Sequence, residues 1–240
     1  MDRLANLKKS FKDMKWYEWL MAAIMVAIAA YAMISAFVDP SSSSNPPWLT
    51  VLNFISAVCG VVCIFFCAKA NISNFAFGLV NTVVYAIYLA YWHIWGTMCL
   101  EIFFYFPINI LSWIVWARHR DIYENEKTMV KKLTARQDVF VGVLVIASTV
   151  VYHAILVRVG GNVAWLDAAT VAIGIIATIL EMLRFREQYV LWLITDVVAV
   201  AMFIQHFDPV YLTKKSIYLI MAVIGLINWC KLQKRNVWNA

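Results

Sequence analysis

The chain has 240 residues, of which 63% are hydrophobic and only 14% charged, with a mean hydropathy of +0.74. Soluble domains carry about a quarter charged residues, so this composition excludes that class and indicates an all-α, polytopic membrane protein; the apolar runs are too long, and alternate too little, for barrel strands. The formal net charge of +6 does not point to nucleic acid, because the basic residues flank apolar spans instead of clustering with aromatics on a soluble face.

Residues 1–15 form a basic lead-in at the membrane surface, with Lys8, Lys9, Lys12 and Lys15. The apolar run after it, from about Trp16 to Val38, is longer than a signal-peptide core and lacks a small-residue cleavage site, so it stays as a membrane helix. Its interior has no strongly polar residue, which fits a lipid-facing or packing helix. Asp39 to Pro47, with four serines in a row and two prolines, is an exposed loop. The second span, about Trp48 to Ala68, carries Asn53 and Ser56, and Cys59, Cys63 and Cys67 at i, i+4 and i+8. No histidine or carboxylate lies close enough in sequence to complete a metal site, so these thiols read as small buried residues; no metal, cofactor or disulfide framework is expected.

The third span, about Asn71 to Trp92, and the fourth, about Trp95 to Ala117, carry the main polar stripe. Asn81 with Tyr85 and Tyr88, Glu101 with Tyr105, and Tyr105 with Asn109 and Ser112 are three or four residues apart and share a helix face. Amides and carboxylates in hydrocarbon are costly unless the protein satisfies them, so this face points inward to a path or pocket. Pro107 removes a backbone hydrogen bond and predicts a kink beside Asn109. Glu101 either lines the outer path or meets Lys214 or Lys215.

Residues 118–136 are the longest charged stretch. Four further spans, about 137–157, 163–183, 188–206 and 211–231, bring the total to eight. Of the 20 lysines and arginines, all but Arg158, Lys214 and Lys215 then fall on one side, so both termini are expected in the cytoplasm. Glu181, within one turn of Arg184, is expected to pair with it. Asp196 is a mid-span carboxylate and a functional-site candidate on that ground, with Trp192 one turn before it. His93, His119, His153 and His206 fall at or near span ends and support neither a proton relay nor a metal site. Trp16, Trp19, Trp48, Trp95 and Trp165 read as interface anchors. Enzyme signatures are missing: there is no P-loop and no G-x-S-x-G elbow.

The two halves repeat weakly. Trp48-Leu49 matches Trp165-Leu166, Lys69 matches Arg184 to Arg186, Asn71 falls opposite Gln188, and Asn81 and Asp196 lie at similar depths; Tyr105 answers Tyr218, and Trp116-Ala117-Arg118 answers Trp229-Cys230-Lys231. With one helix between the copies, each repeat is a three-helix bundle entering the membrane in the same sense, which places a site near the midplane between bundles. The divisions are 1–47 (lead-in, extra helix and loop), 48–118 (first bundle), 119–162 (charged loop and linker helix), 163–232 (second bundle) and 233–240 (tail).

Over about residues 48–232 the chain resembles the nicotinamide riboside transporter (PnuC) family, relatives of the SWEET sugar transporters. The resemblance rests on the Asn71 to Tyr88 run with Phe77-Gly78 and Asn81, on Tyr105-Phe106-Pro107-Ile108-Asn109 with Trp113 and Trp116, on Glu187-Gln188 with Trp192 and Asp196, and on the Tyr211 to Trp229 ending. It implies a three-plus-one-plus-three core, here with an extra N-terminal helix, in the bacterial inner membrane. It further implies facilitated diffusion of nicotinamide riboside, trapping by a cytoplasmic kinase, and a homotrimer. Thiamine, another vitamin or a sugar is the alternative cargo.

Nicotinamide riboside joins a cationic pyridinium, a carboxamide and a ribose. Trp192 with Tyr85 or Tyr105 offers aromatic faces for the ring. Asn81, Asn109 and Gln188 can each donate and accept hydrogen bonds, and Asp196 offers a counter-charge. Trp113 and Tyr218 complete the expected lining.

Overall fold

The structure, a computed structural model, describes residues 11–12, 14–39, 45–158, 165–205 and 209–238. Most of the basic lead-in, the serines of the first loop, His206 and the end of the tail lie outside the described residues. The described regular structure is helical: α1 (Trp16–Val38), α2 (Pro47–Ala68), α3 (Asn74–Tyr91), α4 (Trp95–Arg118), α5 (Ala135–Arg158), α6 (Trp165–Met182), α7 (Gln188–Gln205) and α8 (Pro209–Trp238). Among the described residues six of these, α1 to α5 and α8, are long and apolar enough to cross a membrane; α6 and α7 contain shorter apolar stretches. No strand is found there, only isolated bridges. The expected interface anchors Trp16, Trp19, Trp48, Trp95 and Trp165 are all exposed.

The chain divides into two compact units, Met1–Thr128 and Met129–Ala240. In the first, α1 packs on α2, α2 on α3, and α3 on α4. The first span has a polar tether that its apolar pattern gave no reason to expect. Glu18, 1% exposed, lies 2.7 Å from the Lys69 ammonium and accepts a 2.8 Å hydrogen bond from the Lys15 N–H, fastening α1 to the turn after α2. In that turn Ala70 adopts a left-handed conformation with φ 55°. The Thr128 N–H donates to the Ala70 carbonyl at 3.0 Å, and the Ile72 N–H donates to the Glu126 backbone carbonyl at 2.8 Å.

In the second unit α5 packs on α6, α6 on α7, and α7 on α8. The turn between α6 and α7 repeats the earlier turn. Arg184 is left-handed with φ 69°, and its carbonyl accepts from the Lys131 N–H at 2.8 Å. Arg184 is buried, and its guanidinium donates to the Met129 carbonyl at 3.4 Å instead of pairing with Glu181 as expected. Burial pulls the Lys131 pKa below its ordinary value, and the charge of Arg184 lowers it further.

These turns set the register of the repeat. Moving 114 residues along carries left-handed Ala70 onto left-handed Arg184, the end of α2 onto the end of α6, and the first residue of α3, Asn74, onto the first residue of α7, Gln188. The sequence comparison placed Asn71 opposite Gln188 and Asn81 opposite Asp196. The turns instead pair Asn81 with Thr195 and Thr82 with Asp196, about 100° around the helix from the expected match. The aromatic cores repeat as well: Phe75 meets Trp116 edge-on at 4.7 Å, and Tyr189 meets Trp229 at 5.5 Å, with both tryptophans fully buried.

Trp116 and Trp229 are 113 residues apart, one fewer than the turns. Since α4 and α8 begin 114 apart, at Trp95 and Pro209, the first unit holds its additional residue inside α4. A single π turn, Glu101–Tyr105, lies there, closed by the Phe106 N–H donating to the Glu101 carbonyl five residues back. Pro107 follows at the start of the regular helix Phe106–Arg118. The expected irregularity beside Asn109 is therefore a widened turn that begins before the proline, a single π turn inside an α-helix.

Candidate functional site

In the first unit the expected polar residues share a core among α2, α3 and α4. Ser56 on α2 donates to Asn81 Oδ1 at 2.6 Å. Gly60, one turn further along α2, leaves room for the same amide, since a Cβ there would lie 3.5 Å from Asn81 Oδ1. Gly78 on α3 sits against α4: a Cβ would come within 3.1 Å of Asn109 Oδ1 and 3.3 Å of Cys63 Sγ. Two amides are thus seated by two glycines, which is why the small residues recur one turn from the polar ones. Above them on α3 the Tyr85 and Tyr88 rings lie nearly parallel, 9° apart with centroids 6.2 Å distant. Tyr105 closes the π turn and meets Phe104 edge-on at 5.0 Å, and Trp113 is half-buried one turn beyond Asn109.

In the second unit Trp192 and Asp196 lie one turn apart on α7. Asp196 is 5% exposed and accepts from Lys215 Nζ on α8 at 3.2 Å. The carboxylate therefore already has a counter-ion on the neighbouring helix, which the sequence reading did not assign to it. Lys215 and Lys214 also reach over the Tyr218 ring, at 5.5 and 5.6 Å. Trp192 packs against the core cluster formed by Leu133, Ile173, Ile176, Ala177, Leu180 and Leu191, so part of its surface is structural. The Thr195 hydroxyl donates back to the Trp192 carbonyl at 2.8 Å. Gln188, at 0% exposure, has no hydrogen-bond partner for either end of its amide.

Two residues of this constellation were missed from the sequence. Lys215 was placed at a span end, and its reach to Asp196 depends on how α7 and α8 pack. Asn74 was hidden by a three-residue error in the repeat register. A cavity of about 400 Å³ between α1 and α2, lined by Ala32, Ala36, Thr50, Asn53 and Ala57 among others, contains none of the candidate residues. Among the described residues no group of histidine, cysteine or carboxylate side chains could hold a metal ion.

Each unit therefore offers aromatic faces and carboxamides on packed helices, with Tyr85 exposed, and the second adds a lysine-paired carboxylate. This chemistry suits an uncharged or cationic polar solute. The profile of the nicotinamide mononucleotide transporter family matches residues 50–231. The chain is 30% identical to the nicotinamide riboside transporter PnuC of Neisseria mucosa, over 92% of this chain and 84% of that protein. It is 29% identical to the protein of the same name from Haemophilus influenzae, over 98% and 99%. It also superposes on the crystal structure of the vitamin B3 transporter PnuC with a TM-score of 0.74 and 30% identity, covering 97% of this chain and 98% of that one. Because the family profile spans both units and the structural match runs nearly end to end, this multi-pass membrane protein belongs to the nicotinamide mononucleotide transporter family, a family of transporters and not of enzymes.

Proposed function

We propose that this protein takes up nicotinamide riboside across the bacterial inner membrane by facilitated diffusion, with both termini in the cytoplasm and a cytoplasmic kinase trapping the product. The observation that carries the reading is the near full-length match to two relatives named nicotinamide riboside transporters. The finer architecture follows the same reading: two parallel three-helix bundles, α2–α4 and α6–α8, joined by α5, preceded by α1 and assembled as a homotrimer.

Within that reading Trp192, Tyr85 and Tyr105 offer faces to the pyridinium, and Asn81, Asn109 and Gln188 address the carboxamide and ribose. Trp113 and Tyr218 line the route. Asp196 attracts the cation while shared with Lys215. Proteoliposomes containing only this protein should pass labelled nicotinamide riboside saturably, and excess thiamine or sugar should not compete. Flux no faster than through empty vesicles would sink the proposal; competition by thiamine would reassign the cargo.

Asp196→Asn keeps size and removes charge, so it should weaken binding by about 1.5–3 kcal/mol, the range of a charge-assisted contact. Trp192→Ala should cost about 0.5–2 kcal/mol, with part retained in Trp192→Phe, because an aromatic face remains for the cation. Calorimetry on the folded fraction tests both. Unchanged affinity in Asp196→Asn and Trp192→Ala would move the site toward Asn81 and Asn109.

A further inference from the structure

The strongest unexplained feature is a pair of buried amides that the repeat places in register. Asn74 opens α3 and Gln188 opens α7, each directly after a turn with a left-handed residue. Both are 0% exposed, and in both the amide oxygen and the amide nitrogen lack a hydrogen-bond partner. A buried carboxamide left unpaired is destabilising, and native proteins rarely leave one so without a reason. Finding the same defect at equivalent positions of two units that differ at most others argues for a shared role. Packing alone would be better served by leucine, which has nearly the shape of asparagine and no desolvation cost.

The position of Asn74 indicates what that role is. Asn74, Gly78, Asn81, Tyr85 and Tyr88 follow one another at i, i+4, i+7, i+11 and i+14, so they form one continuous stripe along α3. Asn74 is its end nearest the basic turn, one turn from the glycine that seats Asn109. A carboxamide both donates and accepts, so it can exchange hydrogen bonds with another carboxamide or with sugar hydroxyls whichever way they arrive.

We propose that Asn74 is a substrate-contacting residue at the basic-side end of the transport path, where its carboxamide, like that of Gln188 in the second unit, is satisfied by the polar groups of the passing substrate. This rests on the reading of the protein as a nicotinamide riboside carrier.

The test compares wild type, Asn74→Leu and Asn74→Gln in proteoliposomes, with flux of labelled nicotinamide riboside normalised to protein that elutes as a folded species. Asn74→Leu should raise Tm by about 2–6 °C, by removing the unpaired amide, while lowering flux about tenfold. Asn74→Gln, which installs the second unit's side chain, should keep flux within about twofold. Should Asn74→Leu fail to fold, Asn74→Ala takes its place, with the same loss of flux expected. If wild type carries substrate and the leucine or alanine variant carries it equally well, Asn74 is structural and the inference fails alone. A glutamine variant as slow as leucine also overturns it, because shape and not amide chemistry would then matter. If wild type itself carries nothing, the transport reading fails and takes this inference with it.

Discussion

Lys215→Met should destabilise the protein by about 2–4 kcal/mol, and adding Asp196→Leu should restore most of the loss. Asp196 is nearly buried on α7, and the ammonium 3.2 Å away on α8 is its cation partner in the second unit. Removing one member of a buried pair strands the other charge, at a cost of about 3–5 kcal/mol; the lower range applies here because the lysine side chain is still 30% exposed and partly solvated. Replacing both members with apolar groups removes the desolvation cost along with the attraction, which is why the double variant recovers. Thermal melts in detergent, followed by tryptophan fluorescence, measure this. A Lys215→Met variant that melts with wild type would mean the carboxylate reaches water. The cycle also separates folding from function, since the restored double variant should remain poor at binding a cationic substrate.

The second large effect is expected at Gly225. A Cβ there would lie 2.4 Å from Tyr189 Cε1 and 2.9 Å from its hydroxyl, far inside contact distance. The ring has little freedom to retreat, because it is buried and packs edge-on against fully buried Trp229. Gly225→Ala should therefore cost about 3 kcal/mol, at the upper end of overpacking penalties. In the first unit Ser112 stands at the position of Gly225, and Phe75, with no hydroxyl, stands at that of Tyr189. Combining Gly225→Ser with Tyr189→Phe should recover only the smaller part of the loss that comes from the hydroxyl at 2.9 Å, since the ring carbon at 2.4 Å remains. If the two changes are simply additive, the glycine is required for some other reason.

Much of this architecture was legible in the residue pattern. Helix positions follow from runs of apolar residues bounded by basic turns, whereas the thiols of α2, expected to be buried, are half-buried. The repeat was visible at Tyr105 and Tyr218 and at Trp116 and Trp229, because large aromatics leave a clear mark in the residue pattern. Its register near Asn74 was not visible, because the alignable feature there is a backbone conformation: Ala70 and Arg184 share a left-handed φ but no side-chain chemistry. Spacing within a helix predicts which residues share a face, so Asn81, Tyr85 and Tyr88 could be grouped. Contacts between helices, such as Ser56 with Asn81 or Lys215 with Asp196, depend on crossing geometry that no local spacing encodes. The tether from Glu18 to Lys69 escaped for the same reason.

The π turn in α4 has a consequence for how such a chain can change over time. Adding one residue to a membrane helix ordinarily rotates everything beyond it by about 100° and pushes it about 1.5 Å along the axis, turning packed faces toward lipid. Here the surplus is confined to Glu101–Tyr105, and beyond it Trp116 meets Phe75 in the arrangement that Trp229 and Tyr189 adopt without any surplus. The surplus residue of the first unit is contained within one turn. Where that turn opens, the two halves differ in charge: Glu101, counted from the helix start, stands where α8 has Lys215. A chain built from two similar halves can in this way become lopsided at one level while remaining matched above and below it.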